Sequence, residues 1–372
     1  MREIAGDVVR VIDSFELSRG GKSIGVDPET LKECIRLDSC GKSQMRYGGL
    51  DLYQTEDGDF CVLEINPRVQ AMGLQDFRQE VLGIVGQPQL LQHFLGWVKD
   101  RGFTDVVVLG SRKNPFWRGY QRVVERMVAE GINASFWDAD TFIRQCRDFG
   151  FVPSLILKFC NNNIFLRSEY SSDLKGIIIS NRVQIVNSLS SVYFGYRGFM
   201  YHLGNECPSL VPSQIALGES SLEEWVLEDY PWVKLEASGK AYVVNYSNLR
   251  RWGRDTLLYL INGDLPRARS ILSEKTSGDA RKLLEVVSFL EDTPRDQIVW
   301  LAQSNVEPSR RVLAVGGQPT NLMILYRLYW FKDDDNNIQI SLEAFGCTEE
   351  QFKMSKGKIN AGTGIAIPVV VE

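Results

Sequence analysis

Three residues with oxygen-bearing side chains, Asp51, Glu64 and Asn66, fall within LDLYQTEDGDFCVLEINPRVQAMG, residues 50 to 73. Oxygen ligands of this kind suit a hard divalent cation such as Mg2+, above all where nucleotide phosphates complete its octahedron. Glu64 and Asn66 are separated by one residue, so on a strand they share a face. Acids alternating with apolar residues also describe the solvated face of an ordinary antiparallel hairpin, and composition alone does not separate the two.

The element that must position these groups is a β-hairpin. Leu50 to Tyr53 and Phe60 to Ile65 alternate apolar and polar residues around Glu56-Asp57-Gly58-Asp59, a strong turn signal. Pro67 ends the second strand because it cannot donate to a ladder. Before the hairpin, Ile4, Val8, Val9, Ile12 and Phe15 recur at helical spacing. After it, Gln75 to Val98 reads as mostly helical.

From Asp105 the pattern becomes strand (Asp105 to Gly110), loop, helix (about Gly119 to Glu130) and strand (Gly131 to Trp137). This β-α-β order predicts a Rossmann-like layer, and Leu155 to Phe159 and Gly176 to Ser180 read as further buried strands of it. No G-x-G-x-x-G occurs here, which argues against a dinucleotide site. Arg112, Lys113 and Arg118, in and just after the first loop, are placed to meet an anion or simply to face water.

A third section starts near Asn187. It holds a helical stretch, Val192 to Gly204, a strand within Leu210 to Leu217, and a strand-turn-strand from Trp232 to Val244. Residues 247 to 292 follow helical periods, and Asp296 to Gln303 reads as a strand. A hairpin-like element spans Glu307 to Gly317. Leu322 to Lys332 and Ile338 to Leu342 then bracket Asp333-Asp-Asp-Asn-Asn337 as antiparallel sheet.

At 372 residues with 44% apolar and 24% charged side chains, the chain has the composition of a folded protein of two or three lobes. A net charge of -5 and the lack of a long basic stripe argue against non-specific nucleic-acid binding. Seven scattered cysteines form no C-x-x-C pair, so neither a zinc site nor a disulfide framework is expected, and having His93 and His202 alone argues against a His-rich metal site. The charged N-terminal stretch and the absence of an apolar run of roughly 18 residues predict no secretory leader and no membrane span, hence a cytoplasmic protein.

Glu64-Ile65-Asn66-Pro67-Arg68, preceded by Leu50-Asp51-Leu52 and an acidic glycine turn, resembles the closing motif of the ATP-grasp enzymes, in which an Asp, a Glu and an Asn hold magnesium. Downstream, GYRGFMYHL resembles the helix that opens that fold, LVPSQIAL the next strand, and WVKLEASGKAYVV the strand-loop-strand that covers the phosphates. The pieces stand in rotated order, hairpin first and lysine-bearing strands later, as in the circularly permuted ATP-grasp ligases. The implied fold is α/β and α+β, an ATP-grasp of two α+β lobes clasping ATP, in permuted order with a Rossmann-like pre-ATP-grasp lobe. The implied domains are 1–95 (C-terminal ATP-grasp part with the metal hairpin), 96–186 (Rossmann-like) and 187–372 (N-terminal ATP-grasp part and remaining central sheet).

By the same resemblance the cofactors are ATP and Mg2+, with Asp51, Glu64 and Asn66 as metal ligands. Lys234 and Lys240 match the phosphate lysines, Gln303 to Glu307 the hinge, with Glu307 toward the ribose, and Arg197 a basic residue ahead of the cleft. Lys358 and Asn360, beside Gly362-Thr363-Gly364, are candidates for phosphate contact. Three departures stand out: the covering loop has only Gly239, Glu236 is an acid beside it, and Gly49 stands where peptide-forming members often carry an oxyanion-stabilising arginine. That role would fall to Arg68, Arg327 or Arg311. The expected activity is an ATP-dependent carboxylate–amine ligase working through an acylphosphate on small-molecule acids and amines, with no nucleic-acid or membrane partner and a homodimer left open. A phosphotransferase and a non-catalytic nucleotide-binding module are the alternatives.

Overall fold

The computed structural model describes residues 1–21, 24–67, 72–81, 90–114, 117–217, 224–237, 240–354 and 365–367. Its strands are β1 (Tyr47–Gln54), β2 (Phe60–Asn66), β3 (Asp105–Leu109), β4 (Asn133–Trp137), β5 (Leu155–Lys158), β6 (Gln184–Val186), β7 (Gln214–Ala216), β8 (Trp232–Ala237), β9 (Lys240–Asn245), β10 (Val299–Gln303), β11 (Arg310–Val315), β12 (Gln318–Lys332), β13 (Ile338–Cys347) and β14 (Ile365–Ile367). The result is a mixed α/β architecture with several sheets. The chain divides into two compact units, one of Met1–Arg10, Lys32–Phe194 and Pro308–Glu372, the other of Val11–Leu31 and Gly195–Glu307.

Two sheets build the first unit. The parallel one has the order β4-β3-β5-β6, with the helix Trp117–Ala129 between β3 and β4, as the β-α-β pattern requires. Val106, Val107 and Val108 of β3 are buried, the continuous apolar run of a strand covered on both faces. The expected strand at Gly176–Ser180 is instead part of the helix Ser171–Asn181. Three isoleucines in a row favour a strand, but Leu174 and Ile178 are the residues this helix buries, and a spacing of four is one helical face.

The antiparallel sheet runs β14-β13-β12-β1-β2, with β11 also paired to β12. The hairpin β1–β2 therefore joins a sheet whose other members come from far down the chain. Its turn needs Gly58, at φ +94°, a backbone that a Cβ disfavours. The β11–β12 turn is a two-residue loop, Gly316-Gly317 with φ of +59° and +80°, between the partners Val315 and Gln318. Two positive φ angles make it the type I′ turn whose twist matches antiparallel strands.

One continuous core serves both sheets. Tyr47, Tyr329 and Phe331 from the antiparallel sheet pack with Phe94 and Trp97 of the helix Leu90–Asp100 and with Val106, Tyr120 and Leu157 of the parallel layer. Asn187, fully buried just after β6, ties the layers together through backbone. Its Oδ1 accepts from the amides of Arg46 and Tyr47 at 3.0 Å each, and its Nδ2 donates to the carbonyls of Tyr47 and Pro67 at 2.5 and 2.9 Å. Both ends of the hairpin thus hang on one side chain.

The second unit holds the antiparallel sheet β7-β10-β8-β9. One face carries Val233, Leu235 and Ala302 into a core with Leu257, Leu260, Leu283, Val286 and Val287, from the helices Arg251–Ile261 and Gly278–Glu291. The opposite face presents Trp232, Lys234, Glu236, Gln214 and Gln303, because strand side chains alternate.

Candidate functional site

In the first unit the register lines up four charged residues in one row. Asp51 lies opposite Glu64 on one side and Arg327 on the other, and Arg327 lies opposite Glu343. Directly opposed residues share a face of the sheet, so the row reads acid, acid, base, acid across β2, β1, β12 and β13. A register shift between Asp51 and Leu52 gives β2 one extra residue beside the row. Bulges of this kind re-aim neighbouring side chains.

Arg327 grips Asp51 with a two-pronged guanidinium. Its Nε donates to Oδ1 at 2.6 Å and its Nη2 to Oδ2 at 2.8 Å, both side chains being only 14% and 23% exposed for Asp51 and Arg327. Burial pushes the Asp51 carboxyl up and Arg327 partly offsets that, with a hydrogen bond from the Asn66 side chain acting the same way. For Arg327, burial works against the charge, but the hydrogen bonds and the charge of Asp51, with Tyr329 beside them, together outweigh it and the guanidinium is held more firmly protonated than usual. Asn66 sits opposite Gly49 in the next row. Its side-chain carbonyl oxygen is the atom an asparagine can offer a cation.

Further side chains hold Glu343, at the end of the row, in place. Tyr329, next on the same face of β12, donates its hydroxyl to Glu343 Oε2 at 3.0 Å, and burial pushes its phenol well above the usual range. Arg78 of the helix Met72–Val81 clasps the same carboxylate, Nε to Oε1 at 2.8 Å and Nη2 to Oε2 at 2.6 Å. Gln75 and Gln79 of that helix both donate to Ser341 Oγ, at 2.7 and 3.0 Å. The helix is thereby pinned over β13.

Gly49 has a packing reason. A Cβ there would come within 3.3 Å of Tyr329 Cδ1, so an arginine at this position would compete with the tyrosine ring for the same space.

In the second unit, Lys234 is buried and its Nζ donates to Gln303 Oε1 diagonally across β8 and β10. Glu236, two residues on and equally buried, accepts from the backbone N–H of Arg197, the first residue of the helix Arg197–Glu206. A carboxylate at a helix N-terminus meets unpaired amides and the positive end of the dipole. That accounts for an acid beside the lysine. Opposite Gln303 on β7, Gln214 has both polar atoms of its amide buried without a partner among the described residues.

The remaining candidates are less gathered. Arg311 is exposed on β11 opposite Leu322, on the other face of the sheet from Arg327, and donates to Gln54 Oε1 at 2.9 Å. Glu307 is exposed beyond the end of β10, and Arg197 is half-buried at its helix start. Lys240 opens β9 opposite Ala237. Arg68, Lys358 and Asn360 lie outside the described residues. Pattern reading missed Glu343, Tyr329, Arg78 and Asn187. Glu343 had a signal, being the sole acid of the ten-residue strand β13.

Among the described residues no three His, Cys, Asp or Glu side chains cluster as a metal site, so the hairpin offers two carboxylates and an amide oxygen. Burial holds the Cys34 and Cys160 thiols at about 11 and about 12, far from a thiolate nucleophile at neutral pH. Among the described residues no helix is long and apolar enough to cross a membrane.

No family model matches the chain, and no curated protein matches it. Among solved structures, one from Methylobacillus flagellatus KT, provisionally named a gamma-glutamylcysteine synthetase, aligns over 95% of this chain and 86% of its own at 9% identity and a TM-score of 0.45. At that score the likeness decides neither fold nor activity.

Proposed function

We propose that the chain is an ATP-dependent carboxylate–amine ligase with an ATP-grasp fold in permuted order. What carries this reading is the row on β2, β1 and β12: Asp51 and Glu64 are directly opposed, and Asn66 is in the next row on the same face of β2. Two carboxylates and an amide oxygen on one face are a donor set that fits a hard cation. Asp51, Glu64 and Asn66 would hold Mg2+, which supplies neutralisation of the charge on a transferring phosphoryl group.

Lys234 and Lys240 bind the nucleotide phosphates, and Gln303 begins the hinge, with Glu307 toward the ribose. The orphaned amide of Gln214, a donor and an acceptor side by side, supports a polar ligand at that end of the sheet. Arg197, Lys358 and Asn360 complete the nucleotide contacts. The substrate carboxylate attacks the γ-phosphorus, the bond to the β-phosphate oxygen breaks, and ADP leaves. An amine then attacks the acyl carbon, loses a proton and expels phosphate. Arg68 stabilises the oxyanion of that second step, since Arg327 is committed to Asp51 and Arg311 to the far face. No protein nucleophile is needed.

Hydroxylamine trapping tests the reading. A screen of amino acids and small peptides with ATP and hydroxylamine is expected to yield a hydroxamate, ADP and phosphate for the right acid. A phosphorylated product in place of free phosphate would assign a phosphotransferase. If Glu64→Gln leaves Mg-ATP binding and turnover intact, the metal assignment is wrong.

A further inference from the structure

We propose that Arg327 is a positioning residue that sets the metal affinity of the hairpin: it acts as an internal counter-ion on Asp51 that a divalent cation must displace. The inference rests on Asp51, Glu64 and Asn66 being the metal ligands.

Both oxygens of Asp51 accept from Arg327, at 2.6 and 2.8 Å, in the side-by-side geometry that uses the lone pairs a carboxylate offers most readily. Mg2+ binds carboxylate oxygen at about 2.0–2.1 Å and demands near-octahedral order. A cation bound there would sit roughly 4 Å from the guanidinium, where like charges repel strongly in a half-buried setting. Cation and arginine therefore compete for one carboxylate.

The row also provides the arginine with a second station. Glu343 lies directly opposite Arg327 on the side away from Asp51, so the guanidinium can pass from one acid to the other by side-chain rotation alone. Arg78 and Tyr329 together donate three hydrogen bonds to Glu343. A carboxylate has about four acceptor sites, which leaves one for Arg327. Tyr329, two residues along the same face of β12 as Arg327, already donates its hydroxyl to Glu343. Arg78 and Tyr329 thus hold Glu343 in place as an acceptor for the displaced charge.

The test uses the full-length protein and Mn2+ as probe, with free Mn2+ measured by electron paramagnetic resonance in the absence of nucleotide. Arg327→Met removes the competing charge and is expected to tighten Mn2+ binding tenfold or more. Arg327→Lys keeps the charge but cannot make the two-pronged contact. It is expected to fall between wild type and Arg327→Met, and it carries the test if the methionine variant does not fold. The proposal is overturned if folded variants bind Mn2+ no more tightly than wild type, which leaves the metal ligands standing. If neither wild type nor the variants bind Mn2+ at millimolar concentration, the ligand assignment itself fails and this inference with it.

Discussion

The Nζ of Lys234 is held by the side-chain oxygen of Gln303, one strand away and on the same buried face. The proposed hinge residue and the phosphate-binding candidate are therefore coupled. Gln303→Leu removes an acceptor from a buried ammonium and is expected to cost about 1–3 kcal/mol in urea unfolding. Gln303→Glu keeps an acceptor and adds an opposing charge. It should fold with near wild-type stability yet weaken ATP binding, because the carboxylate competes with phosphate for Lys234, a split that isothermal titration with ATP would reveal.

Asn187 is the residue on which both ends of the hairpin depend. Asn187→Leu keeps the volume but strands the amides of Arg46 and Tyr47 and the carbonyls of Tyr47 and Pro67. Unpaired buried backbone groups cost about 1–3 kcal/mol each and do not add fully, so a loss of roughly 3–5 kcal/mol is expected. The urea midpoint should fall with the slope unchanged. Asn187→Asp restores the acceptor alone and should recover only part of the loss.

Acid sensitivity should trace to Asp334. Its carboxyl is held down at about 2 chiefly by the Arg101 hydrogen bond, against burial, with help from Trp97 Nε1 at 2.9 Å and from Arg46. The folded value lies below the 3.8 of an unperturbed aspartate, so the contribution is complete well above that pH and is lost as pH falls toward 2. Asp334→Asn should lower stability by about 1–2 kcal/mol at neutral pH, after allowance for partial exposure. The difference from wild type should shrink through pH 4 and vanish near 2, as thermal melts across pH would show.

What could be read from the sequence was whatever one local period or turn determines. The hairpin around Gly58, the β3–helix–β4 unit and the β8–β9 pair all follow from alternation and turn residues within about thirty positions. Gly176–Ser180 misled because three isoleucines outweighed the four-residue spacing of Leu174 and Ile178. The row itself was hidden for a different reason. That Asp51 faces Arg327 is a fact of register between strands distant in the chain, and that Arg78 reaches Glu343 depends on a helix packing over the sheet; no local pattern encodes either. Gly49 is similar: why a glycine stands there makes sense only once Tyr329 is seen across the sheet.

The separation of Asp51 from Arg327 by 276 positions has a consequence for how the molecule is made. At about 5–20 residues per second, a ribosome finishes the hairpin roughly 15–55 s before it delivers the strand the hairpin must join. Until then β1 offers an unpaired, largely apolar edge, an invitation to aggregation. The hairpin is therefore a stretch of the nascent chain that gains from a chaperone's cover, and the antiparallel sheet closes only when β1 meets β12.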